Sequence, residues 1–433
     1  MAQDTDGRRK VVIAGAGFGG IATAKALADA PVDVTIIDRR NYHLFQPLLY
    51  QVATADLSPA NIAWPIRGIF SGQDNASVIM SAVEGIDLEN KIVRCGEIDV
   101  PYDDLILSTG ARHSYFGNDQ WAEHAPGLKR LTDATEVRRR VLYAFERAEI
   151  AKTETEQERC LTFVMIGGGP TGVEMAGSIA ELAHVAMRRD FRRIKSSDAR
   201  IVLIEAGPQV LAAFPPELSE KTRKSLEDLG VEVMTNVRVQ DIDADGVHFE
   251  GGHIPAETKI WCAGNEVPDL GDWLGTETDR AGRVLVNPDL SVPGQDCVFV
   301  VGDAAAVPWK DELFVPGIAP AAKQEGKYVA ELLLDRMNNK SAPQPFAYYH
   351  KGNLATIGRH SAVIDFGRFK MSGVLAWWLW GIAHIYFLIG VRRPLLVAVN
   401  WIYSYLFHTK GARLISGLTP KERRGLDVQD GSE

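Results

Sequence analysis

The chain has 433 residues, 46% of them hydrophobic, with no low-complexity tract, so it is long enough to bury two or three domain cores of about 150 residues each. A formal net charge of -9 excludes polyanion binding by the surface as a whole, and nucleic acid is not an expected partner. The four cysteines, Cys95, Cys160, Cys262 and Cys297, form no CxxC or Cys/His pattern, so no metal site is expected and a reducing compartment suits them.

The N-terminal MAQDTDGRRK has no apolar stretch before its first strand, so neither a secretory signal nor an N-terminal membrane span is expected. Val11 to Ala14 are apolar without alternation, as in a strand buried on both faces of a parallel sheet. The turn Gly15-Ala-Gly17-Phe-Gly-Gly20 follows, and then a helix-forming run, IATAKALAD. In such a unit Gly15 permits the tight turn, Gly17 lets backbone approach a pyrophosphate, and Gly20 lets helix and strand pack closely. A second apolar strand, VDVTIID, ends on Asp38 at the distance where a carboxylate can hold a ribose 2'-hydroxyl.

The same pattern returns about 150 residues later, within the length of one domain. LTFVMI reads as the strand, Gly167, Gly169 and Gly172 as the turn, VEMAGSIAELAHVAM as the helix, and RIVLIE as the strand that ends on Glu205. The basic stretch RRDFRRIK at 188 to 195 lengthens the crossover and is expected to be a solvated helix face. Two complete patterns imply two nucleotides bound at once. Glu205, followed by Ala206 and Gly207, favours NADH, because a 2'-phosphate would be repelled there and would want an arginine.

Two further elements join the first turn: YDDLILSTGA at 102 to 111, a strand running into a Thr-Gly turn, and CVFVVGDAAA, a strand ending in Gly302-Asp303. Together these resemble the two-dinucleotide-binding flavoprotein reductases over residues 10 to about 330. By that resemblance FAD sits in the first unit, on Gly15, Gly17, Phe18, Gly19, Gly20, Asp38, Arg39, Thr109, Gly110, Gly302, Asp303, Lys323 and Gln324. NADH then takes the second unit, on Gly167, Gly169, Pro170, Thr171, Gly172, Glu174, Glu205, Ala263 and Gly264. The implied fold is α/β with two Rossmann-like domains. FAD-binding parts are placed at 1–115 and 293–370, an inserted NADH domain at 116–292 and a membrane-anchoring region at 371–433.

Disulfide reductases of this superfamily need cysteine beside the flavin, and NYHLFQPLLYQVATADLSP has none. Sulfide:quinone reductases need two catalytic cysteines, for which Cys160 and Cys297 are the conceivable pair, although both read as structural. From Met371 to Val391 no residue is charged, and after Arg392-Arg393-Pro394 the apolar character resumes to His408. About 20 uncharged residues suffice to span a bilayer. Against a span stand the short second run, the polar stripe Asn400, Ser404 and His408, and flanking Lys370, Arg392, Arg393, Lys410 and Arg413. Two interfacial helices with basic residues at the lipid surface are expected.

A flavin reductase on a membrane suggests a lipid-soluble acceptor, and the chain resembles the type II (alternative, non-proton-pumping) NADH:quinone oxidoreductases. FQPLLYQVATA at 45 to 55, WCAG at 261 to 264, ATIGRHSAV at 355 to 363 and APAAKQEG at 319 to 326 carry the likeness. The last resembles the quinone-site helix, with Pro320 where the family has its first glutamine and Gln324 at the second. The resemblance implies hydride transfer from NADH to non-covalent FAD and two electrons on to a membrane quinone, without proton pumping. It implies a quinone site of Gln46, Pro47, Leu48, Tyr50, Pro320, Gln324 and His384, with Glu174 and Gln324 as catalytic residues and no metal. Peripheral attachment to the cytoplasmic face of the plasma membrane is expected, and the same helices leave room for a homodimer. A sulfide:quinone or other pyridine-nucleotide-disulfide-type oxidoreductase is the alternative.

Overall fold

Glycine turns that join buried strands to helices build both halves of this protein. The computed structural model describes residues 7–310, 313–341, 344–387, 397, 399, 401 and 411–417. The chain packs as two units: Met1–Leu44 with Ala63–Arg112 and Asn265–Lys351, and Phe45–Ile62 with His113–Gly264 and Gly352–Glu433. Residues 265–292 thus fall in the first unit and 352–370 in the second, unlike the boundaries drawn from sequence. Packing accounts for the first difference, because Leu290 and Val292 lie in the first unit's core and Ser291–Val292 is a strand of its sheet.

In the first unit six strands run in the order Ser291–Val292, Gln295–Val300, Asp104–Leu107, Arg9–Ala14, Val32–Asp38, Ala76–Met80. All neighbours are parallel except the short first strand. Val12, Ile13, Ile36, Leu105, Leu107 and Phe299 are fully buried or nearly so, which explains their unbroken apolar runs. The helices Phe18–Ala26 and Ala319–Met337 pack on each other. They approach closely because Gly326 has no side chain; a Cβ there would lie 2.3 Å from the Gly19 carbonyl oxygen.

In the second unit four parallel strands run Val231–Met234, Arg200–Ile204, Thr162–Ile166, Thr258–Trp261. The helix Pro170–Glu181 leaves the central strand and continues as one π-helical turn, Leu182–Ala186. The basic stretch at 188–195 is turns rather than a helix face. Glu149 accounts for this, since its carboxylate accepts from the backbone N–H groups of Arg192, Arg193 and Ile194 at 3.0 to 3.1 Å and pins the segment.

ATIGRHSAV is the centre of an antiparallel hairpin, Asn353–Ile357 with Ser361–Asp365, extended by Lys370–Gly373. The helix Val374–Phe387 packs on it. A buried ion pair ties this hairpin to the nucleotide helix. Arg359 Nε lies 3.4 Å from Glu181 Oε2, and Arg359 N–H donates to Oε1 at 2.5 Å. Glu181→Ala would take one ionic partner from the largely buried Arg359 guanidinium, so the variant is expected to lose about 1 to 3 kcal/mol of stability in a denaturant titration. No helix among the described residues is long and apolar enough to cross a membrane. Asn400, Ser404, His408, Arg392, Arg393 and Lys410 lie outside the described residues.

Candidate active site

The first glycine turn sits at the C-terminal end of Arg9–Ala14, between neighbours Val32–Asp38 and Asp104–Leu107, where an open parallel sheet receives its ligand. Gly15 has φ +106, and a Cβ there would lie 2.1 Å from the Ser108 carbonyl oxygen. A Cβ on Gly20 would lie 2.0 Å from the Gly15 carbonyl oxygen. Gly17, by contrast, faces nothing nearer than 3.8 Å. The turn is therefore tight on its protein side and open on the other, at the N-terminus of Phe18–Ala26.

Asp38 closes the turn, accepting from Ala16 N–H and Arg40 N–H, each at 2.8 Å. An ionised carboxylate has about four acceptor sites, so ribose hydroxyls can still bind. Gly302–Ala304 is a single 3-10 turn, and Glu325, 2% exposed, accepts from Gly302 N–H at 2.5 Å. Burial pushes the Glu325 carboxyl up to about 7 despite that bond, and the Asp303 charge adds to the rise. Arg39 and Thr109 are exposed, and Gly110 has φ +71. Lys323 Nζ lies 5.3 Å from the Phe18 ring centre, and burial lowers its pKa. Arg40 Nε and His43 Nε2 are buried with no hydrogen-bond partner among the described residues. This open cradle with unsatisfied polar atoms beside it fits a dinucleotide such as FAD.

The second turn repeats the design. Gly167 has φ +113 and would place a Cβ 2.9 Å from Ala263, while a Cβ on Gly172 would lie 1.8 Å from the Gly167 carbonyl oxygen. Gly169, at the start of Pro170–Glu181, has nothing within 4 Å. Glu205 accepts from Gly168 N–H and Gly207 N–H, each at 2.6 Å. Thr171 is half-buried, Pro170 exposed, and Gly264 takes φ +69 against Ser114.

Glu174 stands one turn into that helix. Desolvation pushes its carboxyl up to about 8, although a backbone hydrogen bond from Thr356 opposes the shift. Beside it the Tyr50 hydroxyl lies 3.1 Å from Thr356 Oγ1 and accepts from Gln51 Nε2 at 3.0 Å; burial and the Glu174 charge push the phenol up. Trp401 Nε1 donates to Gln51 Oε1 at 2.8 Å. A cavity lined by Tyr50, Gln51, Asp56, Glu181 and Arg359 holds about 30 Å³, enough for about one water.

Of the residues expected at a quinone, Gln46 is exposed, Pro47 half-buried, and Leu48 and Tyr50 buried. His384 stacks on Trp380 at 4.2 Å and meets Phe45 edge-on at 6.3 Å. Its Nδ1 bonds the Trp380 carbonyl at 2.8 Å, and burial lowers its pKa to about 4. Pro320 and Gln324 lie in the other unit, near the start of Ala319–Met337. Gln324 Nε2 donates to the carbonyls of Pro320 and Tyr349, and its Oε1 accepts from Tyr349 N–H. In this conformation the amide is bound to backbone on both ends, which sequence reasoning did not foresee. Thr356, His43 and the Glu181–Arg359 pair were also missed, because isolated polar residues leave no periodic trace.

Cys160 and Cys297 fall in different units. Cys160 is buried, donates to Glu257 Oε2 at 3.0 Å, and is raised to about 12 by burial. An inert thiol of that kind suits structure rather than redox relay.

Two glycine turns on parallel sheets, each closed by an acid, define a two-dinucleotide oxidoreductase. The pyridine nucleotide-disulphide oxidoreductase model matches residues 9–326, and that of the NDH2 C-terminal domain matches 350–409. Two Mycobacterium tuberculosis proteins, type II NADH:quinone oxidoreductases NdhA and Ndh, are each 42% identical, over 97% and 94% of this chain and 94% and 90% of their own. NDH2 from Plasmodium falciparum, solved in complex with NADH, has the same fold, with TM-score 0.87 at 21% identity over 95% of this chain and 100% of that one. The chain belongs to the type II NADH:quinone oxidoreductase family.

Proposed function

We propose that this chain oxidises NADH and reduces a quinone at a membrane surface, and that Glu174 handles a proton of that reaction. The observation that carries the reading is the pair of complete dinucleotide cradles in one chain. The first cradle would hold FAD, which would supply the two-electron chemistry that links NADH to quinone. The Gly15 to Gly20 turn would hold its pyrophosphate, Asp38 a ribose, and Asp303 the ribityl chain. The second turn holds NADH, with Glu205 on the adenosine ribose and against a 2'-phosphate. Both turns would orient their ligands by backbone N–H groups.

Quinone reduction consumes two protons, and a hydride supplies one. Desolvation, which pushes the Glu174 carboxyl up to about 8, keeps it protonated at neutral pH, so that it would give or relay the other. Gln324 must release the carbonyl of Pro320 or of Tyr349 before its amide can donate to a quinone carbonyl. Gln324→Ala is accordingly expected to raise the quinone KM more than the NADH KM in steady-state assays; equal effects would remove the contact.

Membrane attachment is read from Val374–Phe387. Val374, Leu375, Trp378, Ile382 and Tyr386 recur along one exposed face, with Leu375 74% and Tyr386 81% exposed, while Ala376, Trp377 and Trp380 are buried on the other. A face that apolar suits interfacial docking. Leu375→Glu with Ile382→Glu is expected to cut partition onto anionic vesicles at least about a hundredfold. FAD content should stay unchanged, and a variant that still sediments with vesicles contradicts the docking face. Attachment at the cytoplasmic face and a homodimer belong to the same proposal. A cysteine-based sulfide chemistry predicts that Cys160→Ser with Cys297→Ser is inactive; full NADH:quinone activity in that variant is the outcome expected here.

A further inference from the structure

His43 lies on the strand Tyr42–Leu44, which pairs antiparallel with Ala63–Pro65, and it is 2% exposed. Its Nδ1 is 2.9 Å from the carbonyl oxygen of Ala16, the residue between the first two glycines of the FAD turn. Its ring meets Phe18, the first residue of the turn's helix, edge-on at 5.0 Å and 87°. Nε2 is buried with no hydrogen-bond partner among the described residues.

The tautomer follows from these contacts. A carbonyl only accepts, so Nδ1 carries the proton and donates to Ala16. Burial holds the ring's pKa down to about 4, and the positive charges of Lys323, Lys25 and Arg40 act in the same sense, so the ring is neutral. Nε2 is therefore a bare lone pair, enclosed and able only to accept. Buried acceptors almost always find a donor, and the ring that carries this one touches two residues of a cofactor turn, Ala16 through Nδ1 and Phe18 through its edge. The donor is not the pyrophosphate, whose oxygens carry no proton at neutral pH. Hydroxyls of the two chains that leave the pyrophosphate, the ribityl and the adenosine ribose, are the donors next in reach of such a turn.

We propose that His43 Nε2 accepts a hydrogen bond from a hydroxyl of the bound FAD and so fixes the cofactor's orientation in its cradle. The contact rests on FAD occupying the first turn. It is a positioning role, so its test reads cofactor binding. Asparagine can keep the donor of Nδ1 but has no atom at Nε2, whereas glutamine can place an oxygen at Nε2 and loses the Nδ1 donor.

Apoprotein of the full chain would be titrated with FAD by flavin fluorescence for wild type, His43→Asn and His43→Gln. His43→Asn is expected to bind FAD at least about tenfold more weakly, and His43→Gln within about threefold of wild type. Competition by ADP assigns the hydroxyl, since a loss shared by ADP places it on the adenosine ribose and a loss confined to FAD on the ribityl. Equal affinities in all three proteins, or a loss confined to His43→Gln, would overturn the contact. If His43→Asn does not fold, wild-type protein carrying 15N-histidine decides, because the Nε2 resonance should move on FAD addition and an unmoved one overturns the proposal. Wild-type protein that takes up no FAD overturns the cofactor assignment itself, an outcome distinct from the others.

Discussion

Gly172→Val is expected to yield protein that still carries flavin but is no longer reduced by NADH. Even one carbon at Gly172 would lie 1.8 Å from the Gly167 carbonyl oxygen and 3.2 Å from Leu203 Cδ1. The carbonyl cannot yield, because Gly167 is itself held at φ +113 against Ala263. The helix Pro170–Glu181 must move off its strand, and the N–H groups aimed at the pyrophosphate move with it. Stopped-flow reduction by NADH should fall at least about a thousandfold in kcat/KM. The flavin content should not change, because the first unit has its own turn. The matching change there, Gly20→Val, would place its first carbon 2.0 Å from the Gly15 carbonyl oxygen and should give colourless protein. Normal reduction of Gly172→Val by NADH would take the donor away from the second turn.

Glu174→Gln should have the next largest effect. A protonated carboxyl that serves as acid or relay is worth about a hundredfold or more in turnover, and glutamine keeps the shape without the proton. Quinone turnover of the wild type should decline as pH rises through about 8, where Glu174 loses its proton. Turnover of the variant should be low and flat across that range. Stability gives an independent check. The folded pKa, about 8, lies above the unfolded value of 4.5, so the wild type's stability from this group is full below 4.5 and is lost as pH rises to 8. Glutamine resembles the neutral acid at every pH. At pH 9 the variant should therefore be more stable than wild type, by about 2 kcal/mol. A variant with wild-type turnover and pH profile would leave Glu174 a structural residue.

Both glycine turns and the strands around them were legible because each is a local constraint. A positive φ or a close backbone approach demands glycine at a fixed spacing, and a strand buried on both faces demands an apolar run. The runs Val11 to Ala14, VDVTIID, LTFVMI and RIVLIE all lie on parallel strands. What escaped was set by contacts distant in sequence. The RRDFRRIK segment is a turn because Glu149 caps its backbone, a bond spanning more than 40 positions. Residues 265–292 join the first unit because Leu290 and Val292 enter its core, which no local pattern announces. Gln324 is tied to the Tyr349 backbone by a pair of bonds that only the fold brings together. His43 shows the same limit, since nothing in NYHLFQ tells a buried acceptor from an exposed ring.

One chain passes electrons from a pyridine nucleotide through a flavin to a quinone. An anaerobic titration of purified protein with NADH, followed by a quinone, reads this directly from the flavin absorbance. The yellow band should bleach on addition of about one equivalent of NADH and return on addition of about one equivalent of quinone, in keeping with a two-electron carrier. Colourless protein, a band that NADH leaves in place, or a bleached band that quinone does not restore would contradict it.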